Sequence, residues 1–477
     1  MALFGRTKIV VDETEITREN VVDVLHSAFL IHSANSNDID TLYNYYKGKQ
    51  PILARTKEIR PEICNRIVEN RANEIVSFKS GYLCGEPLQY VSRGKTDDVA
   101  DGIQALNDMM LLCGKPARDK EITEWMYISG LANRMVLPNK GNIKKYIVPN
   151  LSRGKMPAAA DEAPFRVFTL DPRYSFVVYS SELGEPPLMG VKYIHRKTGI
   201  TEKIVFSVYT ATDYFEIVDK KIEKHEKHSI GHVPIVEYPL NNARLGSFEI
   251  VISILDAINL VQSNRLDGIE QFVQSLWVLY NAEIDDDVAK NLREAGLIKL
   301  KSFGDNKADI KVIAEQLDQQ QTQTLIDYMY QTVLNIVGMP NRNGGSSTSD
   351  TGAATIVRDG WAAAEARAKD DETMFKESER HFLRIVLKIL RDTVGTPLNL
   401  SDIDVKFTRR NYENVQVKAQ VLDLMLKNPR IAPELAFTHC GIFSDPQDAA
   451  KQSEQYYNEF KNEPQTQDTG ANAYSAE

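Results

Sequence analysis

Cations are in the minority in this 477-residue chain: 57 Lys and Arg stand against 66 Asp and Glu, a formal net charge of -9. A dedicated duplex-DNA clamp needs a basic face to neutralise phosphates, so that class is disfavoured. A surface past which DNA slides without adhering remains compatible with the balance. Cysteine is scarce too. Cys64, Cys84, Cys113 and Cys440 have no CxxC spacing and are expected as buried, reduced thiols rather than as disulfides or metal ligands. No run of eighteen apolar residues exists, so no membrane-spanning helix is expected. The first seventeen residues lack an apolar signal core with a small-residue cleavage site, so Sec export is not expected either.

Catalytic and cofactor signatures are missing as well. "RGKT" at Arg93 to Thr96 resembles the end of a phosphate loop, but the position of its first glycine is Gln89, and Asp97 and Asp98 follow where they would repel phosphate. His225, His228 and His232 in "HEKHSIGH" lie close in sequence, yet strand-and-turn spacing does not bring them to one face; a polar turn is the expectation, not a metal site. Asp285 to Asp287 sit where an acidic first turn complements a helix dipole. Without GxSxG, HExxH or a Cys-His pair, no enzyme, metal or cofactor is expected.

The length calls for more than one core. Three- and four-residue apolar spacing predicts helices over 17–46, with starts at Thr17 and near Asn37, and again over 63–85 and 100–136, where "EITEWMYISGLANRMV" reads as one helix. From 164 to 240 apolar and polar residues alternate between turn signals, which predicts an antiparallel strand-rich module. Residues 246–276 return to helical spacing, with Val251, Leu255, Ile258, Leu266, Ile269, Val273 and Leu276 as the apolar stripe. A short α/β insert follows, then a helix ending before Pro340, a Gly/Ser/Thr/Asn-rich segment, and a helix over 355–393, roughly 55 Å at 1.5 Å per residue. One more strand and two terminal helices precede a polar tail. The fold class is α+β and mostly helical.

Four stretches, in order, resemble the portal, or head-to-tail connector, proteins of tailed double-stranded DNA bacteriophages of the siphophage type. They are "LYNYYKGKQPILAR" (Leu42 to Arg55), "NRIVENRANEIVSFKSGYLCGEPLQY" (Asn65 to Tyr90), "HSIGHVPIVEYPLNNARLGSFEIVISILDAINLVQSNRLDGIEQF" (His228 to Phe272) and "GGSSTSDTGAATIVRDGWAAAEARAK" (Gly344 to Lys369). The resemblance implies a wing at 1–245, a stem helix at 246–276, a clip at 277–320 and a second stem helix at 321–340. It further implies a tunnel loop at 341–354, a tunnel-bracing helix at 355–393, a wing return strand at 394–414, a helical crown at 415–462 and a disordered tail at 463–477.

The resemblance also implies a closed homo-oligomeric ring of about twelve copies around an axial channel at one capsid vertex of the virion. It would serve genome packaging, head-tail joining and ejection, with assembly in the host cytoplasm. Its implied partners are double-stranded DNA, a terminase motor that hydrolyses ATP, a head-completion adaptor, and scaffold and major capsid proteins. Arg342, Asn343, Gly344, Gly345, Ser346, Ser347, Thr348, Gly352 and Arg358 are the candidate DNA-facing residues; Arg358 stands where the family often has lysine. Glycines keep such a loop permissive, and neutral hydroxyls hold phosphates weakly and release them. Lys299, Lys301 and Lys311 are the candidate partner surface of the clip. The alternatives are a non-ring scaffold or adaptor protein, and a nuclease or ATPase of the packaging apparatus, which the missing motifs disfavour.

Overall fold

The computed structural model describes residues 5–58, 60–93, 97–139, 162–198, 201–273, 276–280, 309–313, 319–340, 353–409, 415–443 and 446–462. Its helices are α1 (Val21–Tyr46), α2 (Arg71–Cys84), α3 (Asp97–Leu112), α4 (Lys115–Ser129), α5 (Ile252–Val273), α6 (Gln319–Val337), α7 (Ala353–Thr393), α8 (Val415–Leu426), α9 (Pro433–Cys440) and α10 (Pro446–Asn462). The strands are β1 (Val10–Val11), β2 (Gln89–Ser92), β3 (Leu131–Pro138), β4 (Phe165–Leu170), β5 (Ser175–Ser180), β6 (Pro187–Thr198) and β7 (Thr201–Tyr209). They continue with β8 (Asp213–Val218), β9 (Lys221–Lys227), β10 (Ile235–Pro239), β11 (Leu276–Tyr280), β12 (Asp309–Ile313) and β13 (Ile403–Lys406). The class is α+β and mostly helical. Two compact units form: Met1–Gly81, Glu121–Val136 and Phe168–Ile385 in one, Tyr82–Lys120, Leu137–Val167 and Val386–Glu477 in the other.

In the first unit a six-stranded sheet runs in the order β1-β5-β6-β7-β8-β9. β1 joins β5 in parallel, and β5 to β9 follow as an antiparallel meander. Alternation puts Phe176 and Val178, then Met189, Val191 and Tyr193, then Phe215 and Ile217 on one face. α1 covers that face with Val21, Val24, Leu25 and Ala28, spaced i, i+3, i+4 and i+7. On the opposite face Gly190 is required, because a Cβ there would sit 2.6 Å from Cβ of Ile235 in β10.

Two expectations meet a different outcome. The sequence suggests a break near Asn37, yet α1 is continuous to Tyr46. The buried Asn35 explains this: its Oδ1 accepts the Thr7 N–H at 2.9 Å and its Nδ2 donates to the Thr7 carbonyl at 2.8 Å. A polar residue satisfied by the incoming chain has no reason to end the helix.

The second difference is a correction: "LANRMV" is not the end of a helix but strand β3, paired antiparallel with β10 (Ala132 opposite Tyr238, Met135 opposite Ile235). Gly130 makes the change of direction, at φ +79°; a Cβ there would lie 2.0 Å from the Arg244 carbonyl oxygen. Full burial on both faces removes the alternation that marks a half-exposed strand. Among its residues, Arg134 is fully buried against Glu379 at 3.0 Å, and Glu379 also accepts the Tyr238 hydroxyl at 2.7 Å.

In the second unit β2 and β13 pair antiparallel, Tyr90 opposite Val405. Asn107 of α3 brackets Tyr90, accepting its N–H at 3.1 Å and donating to its carbonyl at 2.9 Å. Lys115 and Asp119, one turn apart in α4 and both buried, pair at 2.7 Å. Helix α9 packs on α8 and α10; it is not among the helices expected from the sequence, although Pro433 opens it and Gly441 closes it at φ +64°.

The α1–sheet contact carries a titratable group. His32, 2% exposed, stacks on Phe176 at 4.4 Å, and its Nε2 lies 3.2 Å from the Arg173 carbonyl. Burial lowers its pKa from 6.5 to about 4, only partly offset by that hydrogen bond. The unfolded chain therefore binds the extra proton first, and stability from this residue is complete above about pH 6.5 and lost as pH falls toward 4. In His32→Phe that loss should vanish: the stability difference between wild type and variant should change by about 3 kcal/mol over this window in denaturant melts. Parallel pH profiles contradict the assignment.

Candidate functional site

The first unit contains the helix pair that the resemblance assigns to the stem, and α5 sets its geometry. Leu255 and Ile258 are buried as its stripe predicts, but beyond them the pattern inverts: Ile269 is 46% exposed, whereas Asn259, Ser263 and Asp267 are buried. These three polar residues, at i, i+4 and i+8, form one line along the helix. Each accepts a backbone N–H from an extended segment lying alongside: Glu69 to Asn259 at 2.9 Å, Ile67 to Ser263 at 2.9 Å and Asn65 to Asp267 at 2.7 Å. The match is metric. Four helical residues rise about 6.0 Å and two extended residues about 6.6 Å, so alternate amides fall opposite successive turns.

The lower end of the ladder is ionic. Arg55 reaches Asp267 at 3.0 Å, Lys57 at 2.9 Å, and the Asn65 side chain donates to it at 3.0 Å. Burial alone would raise the Asp267 pKa, but the donors from Asn65 and Lys57 hold it below the ordinary aspartate value. Residues of the "YYKGKQPI" stretch supply the other end. Tyr45 donates to Asp256 at 2.9 Å, Tyr46 to Glu124 at 2.7 Å, and the buried Gln50 donates to Asn70 at 3.2 Å. Gly48 turns the chain at φ +89°. Burial pushes the Asp256 carboxyl up. Residues of the first two motifs thus hold α5 in place. Their signal in the sequence was three small polar residues at four-residue spacing within an apolar helix.

α6 packs on α5, and Ile326, Val333, Leu334 and Val337 are among its buried apolar side chains. Arg265 of α5 donates to Gln323 of α6 at 2.6 Å. Arg71 lies over the Tyr330 ring at 4.1 Å and pairs with Glu69 at 2.8 Å and Glu74 at 2.9 Å, while Tyr330 donates to Glu74 at 2.8 Å. The charge inventory of the pair is sparse: Arg265 against Asp256, Asp267, Glu270 and Asp327. α7 carries eight Lys and Arg against eight Asp and Glu. The α5–α6 pair presents no stripe of cations, whereas on α7 Lys376, Arg380, Arg384 and Lys388 recur every four residues, Lys376 paired with Glu372 at 3.3 Å and Lys388 with Asp392 at 2.8 Å.

Of the candidate residues, Arg342, Asn343, Gly344, Gly345, Ser346, Ser347, Thr348 and Gly352 lie outside the described residues, as do Lys299 and Lys301. Arg358 falls in the second turn of α7, and Lys311 is central in β12, opposite Val278 of β11. Asp285 to Asp287 also lie outside the described residues. Of the histidines of "HEKHSIGH", His225 meets Asp213 at 2.7 Å and stacks on Phe215 at 4.5 Å, and His228, near Tyr209, also feels the Asp213 carboxylate. Among the described residues no group of three or more His, Cys, Asp or Glu side chains is placed to hold a metal ion, and no helix is long and apolar enough to cross a membrane.

Comparison with known proteins agrees with the resemblance. The sequence profile of a family described as "Phage portal protein, SPP1 Gp6-like" matches residues 26–462. The portal protein of Bacillus phage SPP1 is 20% identical over 416 residues, 81% of this chain and 75% of that protein.

The ladder predicts an order of stability losses. Ser263→Ala leaves the Ile67 amide without its acceptor and should cost about 1–3 kcal/mol. Asp267→Ala strands Arg55, Lys57 and the Asn65 amide together and should cost more, about 3–5 kcal/mol. Equal or negligible shifts of the urea midpoint for both variants contradict the ladder's role.

Proposed function

The chain belongs to the SPP1 Gp6-like family of phage portal proteins, and from that membership we propose that its copies close into a ring of about twelve around an axial DNA channel. Portal proteins are structural components of a capsid vertex rather than enzymes, so the chemistry of packaging lies elsewhere. In this reading α5 and α6 form the channel's rigid stem, residues 341–354 the loop that meets DNA, and α7 the brace behind it. The clip at 277–320, with Lys299, Lys301 and Lys311, faces the terminase motor during packaging and a head-completion adaptor afterwards. The wing faces scaffold and major capsid protein while the head assembles in the host cytoplasm. This chain contributes no active site.

The observation that carries the reading is the scarcity of cations on the stem helices, where Arg265 stands alone among four carboxylates. Duplex DNA carries one phosphate charge per ~1.7 Å, and each phosphate neutralised by a cation adds to the grip and to its salt dependence. A wall repeated around a ring multiplies any such grip, so conduction needs a wall that offers little of it. A chain charge of -9 brings a ring to the order of a hundred negative charges, screened over ~8 Å. Neutral donors such as Asn343, Ser346, Ser347 and Thr348 touch phosphates and let go.

Introducing cations is the direct test. Ser346→Arg with Ser347→Arg should leave ring assembly intact, raise duplex retention at low salt and slow packaging at least tenfold in a reconstituted motor assay. Packaging at the wild-type rate contradicts the proposed channel wall.

A further inference from the structure

A cleft of about 570 Å³ opens within the first unit, between β5, the turn that leads into β6, the approach to β10, and α7. That volume falls in the ~300–1,000 Å³ range of small-ligand sites. Apolar lining comes from Val177, Pro187, Val233, Ile235 and Ile385. Charged and titratable lining comes from Lys8, Glu185, His232, Glu237, His381 and Arg384. None of these residues belongs to the stem or to the segments that the proposed channel uses.

Most of the charge in the cleft is already matched. Lys8 pairs with Glu185 and lies over the Tyr179 ring at 4.2 Å. Glu237 pairs with Arg244 at 2.7 Å. Arg384 differs: among the described residues it has no carboxylate ion partner, and its guanidinium donates to Nδ1 of His381 at 3.3 Å. A ring nitrogen that accepts from a guanidinium carries no proton. Burial, with the Arg384 charge added to it, holds the His381 pKa below the ordinary histidine value, so this partner is neutral at pH 7. The other nitrogen of His381 lies 3.6 Å from Glu377 of the same helix. In the row of cations along α7, Arg384 is thus the member that lines the cleft with its charge unmatched.

One unmatched guanidinium calls for a single negative charge. Duplex DNA presents its phosphates on a convex backbone and gains its grip from many cations at once, so a concave site with one is unsuited to it. A phosphate dianion would keep one charge uncompensated and leave the apolar lining unused. A carboxylate on an apolar body uses both halves: the planar guanidinium fork donates two parallel hydrogen bonds to it, and the body is removed from water. We propose that this cleft binds a monocarboxylate with an apolar body, the carboxylate on Arg384 and the body on the lining of Pro187, Val233 and Ile235. On binding, Arg384 exchanges a neutral imidazole for a charged acceptor. A free organic acid has this chemistry, and so has an acidic residue flanked by apolar ones in a partner's segment. The inference stands on the cleft alone and does not depend on ring closure.

Titration calorimetry on the full-length chain tests it, with phenylbutyrate as the free acid and a Leu-Glu-Leu tripeptide blocked at both ends as the segment. At least one of the two should bind saturably, at one site per chain. Phenylbutanol keeps the ring without the charge, and inorganic phosphate keeps the charge without the body; each should bind at least tenfold more weakly. Arg384→Gln, at an exposed position, should weaken the acid at least tenfold. Ala211→Leu adds bulk to the lining while leaving Arg384 in place, and should weaken it as much, both variants keeping the wild-type circular dichroism. Tighter binding of phenylbutyrate assigns the cleft to a small ligand, and tighter binding of the tripeptide assigns it to a partner's segment. Absence of saturable binding by either overturns the inference. So does phosphate that binds as tightly as the acids, or an Arg384→Gln chain that binds them as wild type does.

Discussion

The hydrogen-bond ladder between α5 and the extended segment 65–69 is the constraint on which the first unit depends. It converts an interior helix face into a polar track, which would be costly if any rung were missing, because a buried amide without a partner loses its water for nothing. With all three rungs present, Asn259, Ser263 and Asp267 fix the segment's register to α5, and Gln50, Tyr45 and Arg55 fix what precedes it. A hydrophobic contact at the same place would tolerate sliding; alternate amides against successive helical turns tolerate none. A helix meant to stay still beside a moving substrate gains from that kind of attachment.

In the proposed channel, rigidity and slipperiness are separate demands that fall to different residues. The charged groups of this region are spent on one another: Arg55 and Lys57 on Asp267, Arg71 on Glu69 and Glu74. Fixed pairs of this sort orient the backbone without leaving cations to grip a polyanion. The same economy appears in the buried Arg134–Glu379–Tyr238 group, which ties β3 and β10 to the middle of α7. Burying such a pair adds little net stability over an apolar equivalent, yet removing either member leaves an uncompensated charge. Specific geometry is the gain, and α7 is the element whose position the proposed channel most needs to be specified.

Much of this architecture is legible in the sequence, for physical reasons that can be named residue by residue. Half-exposed strands such as β6 and β7 show their period of two, and α7 shows its helical period over 41 residues. β3 hides because it is buried on both faces, so nothing in "LANRMV" alternates. α1 looks broken at "SANSN" because its satisfying partner, Thr7, is distant in sequence. The apolar stripe expected to continue through Ile269 instead gives way to Ser263 and Asp267, a choice that only the neighbouring segment explains. The family was legible from four motifs, and residues of the first two, Tyr45, Tyr46, Gln50 and Asn65, serve in the structure to hold α5. The candidate DNA-facing positions from Arg342 to Gly352 rest on resemblance and loop chemistry, since side-chain spacing carries no information about which way a Gly/Ser-rich segment points.

Closure of the subunits is the claim that the channel and the sparse wall both require. Averaged electron-microscope images of the purified full-length chain, viewed along the symmetry axis, test it most directly. The account predicts closed annuli of one dominant subunit number with an open centre. Single subunits at every concentration, or open filaments in place of annuli, would contradict it.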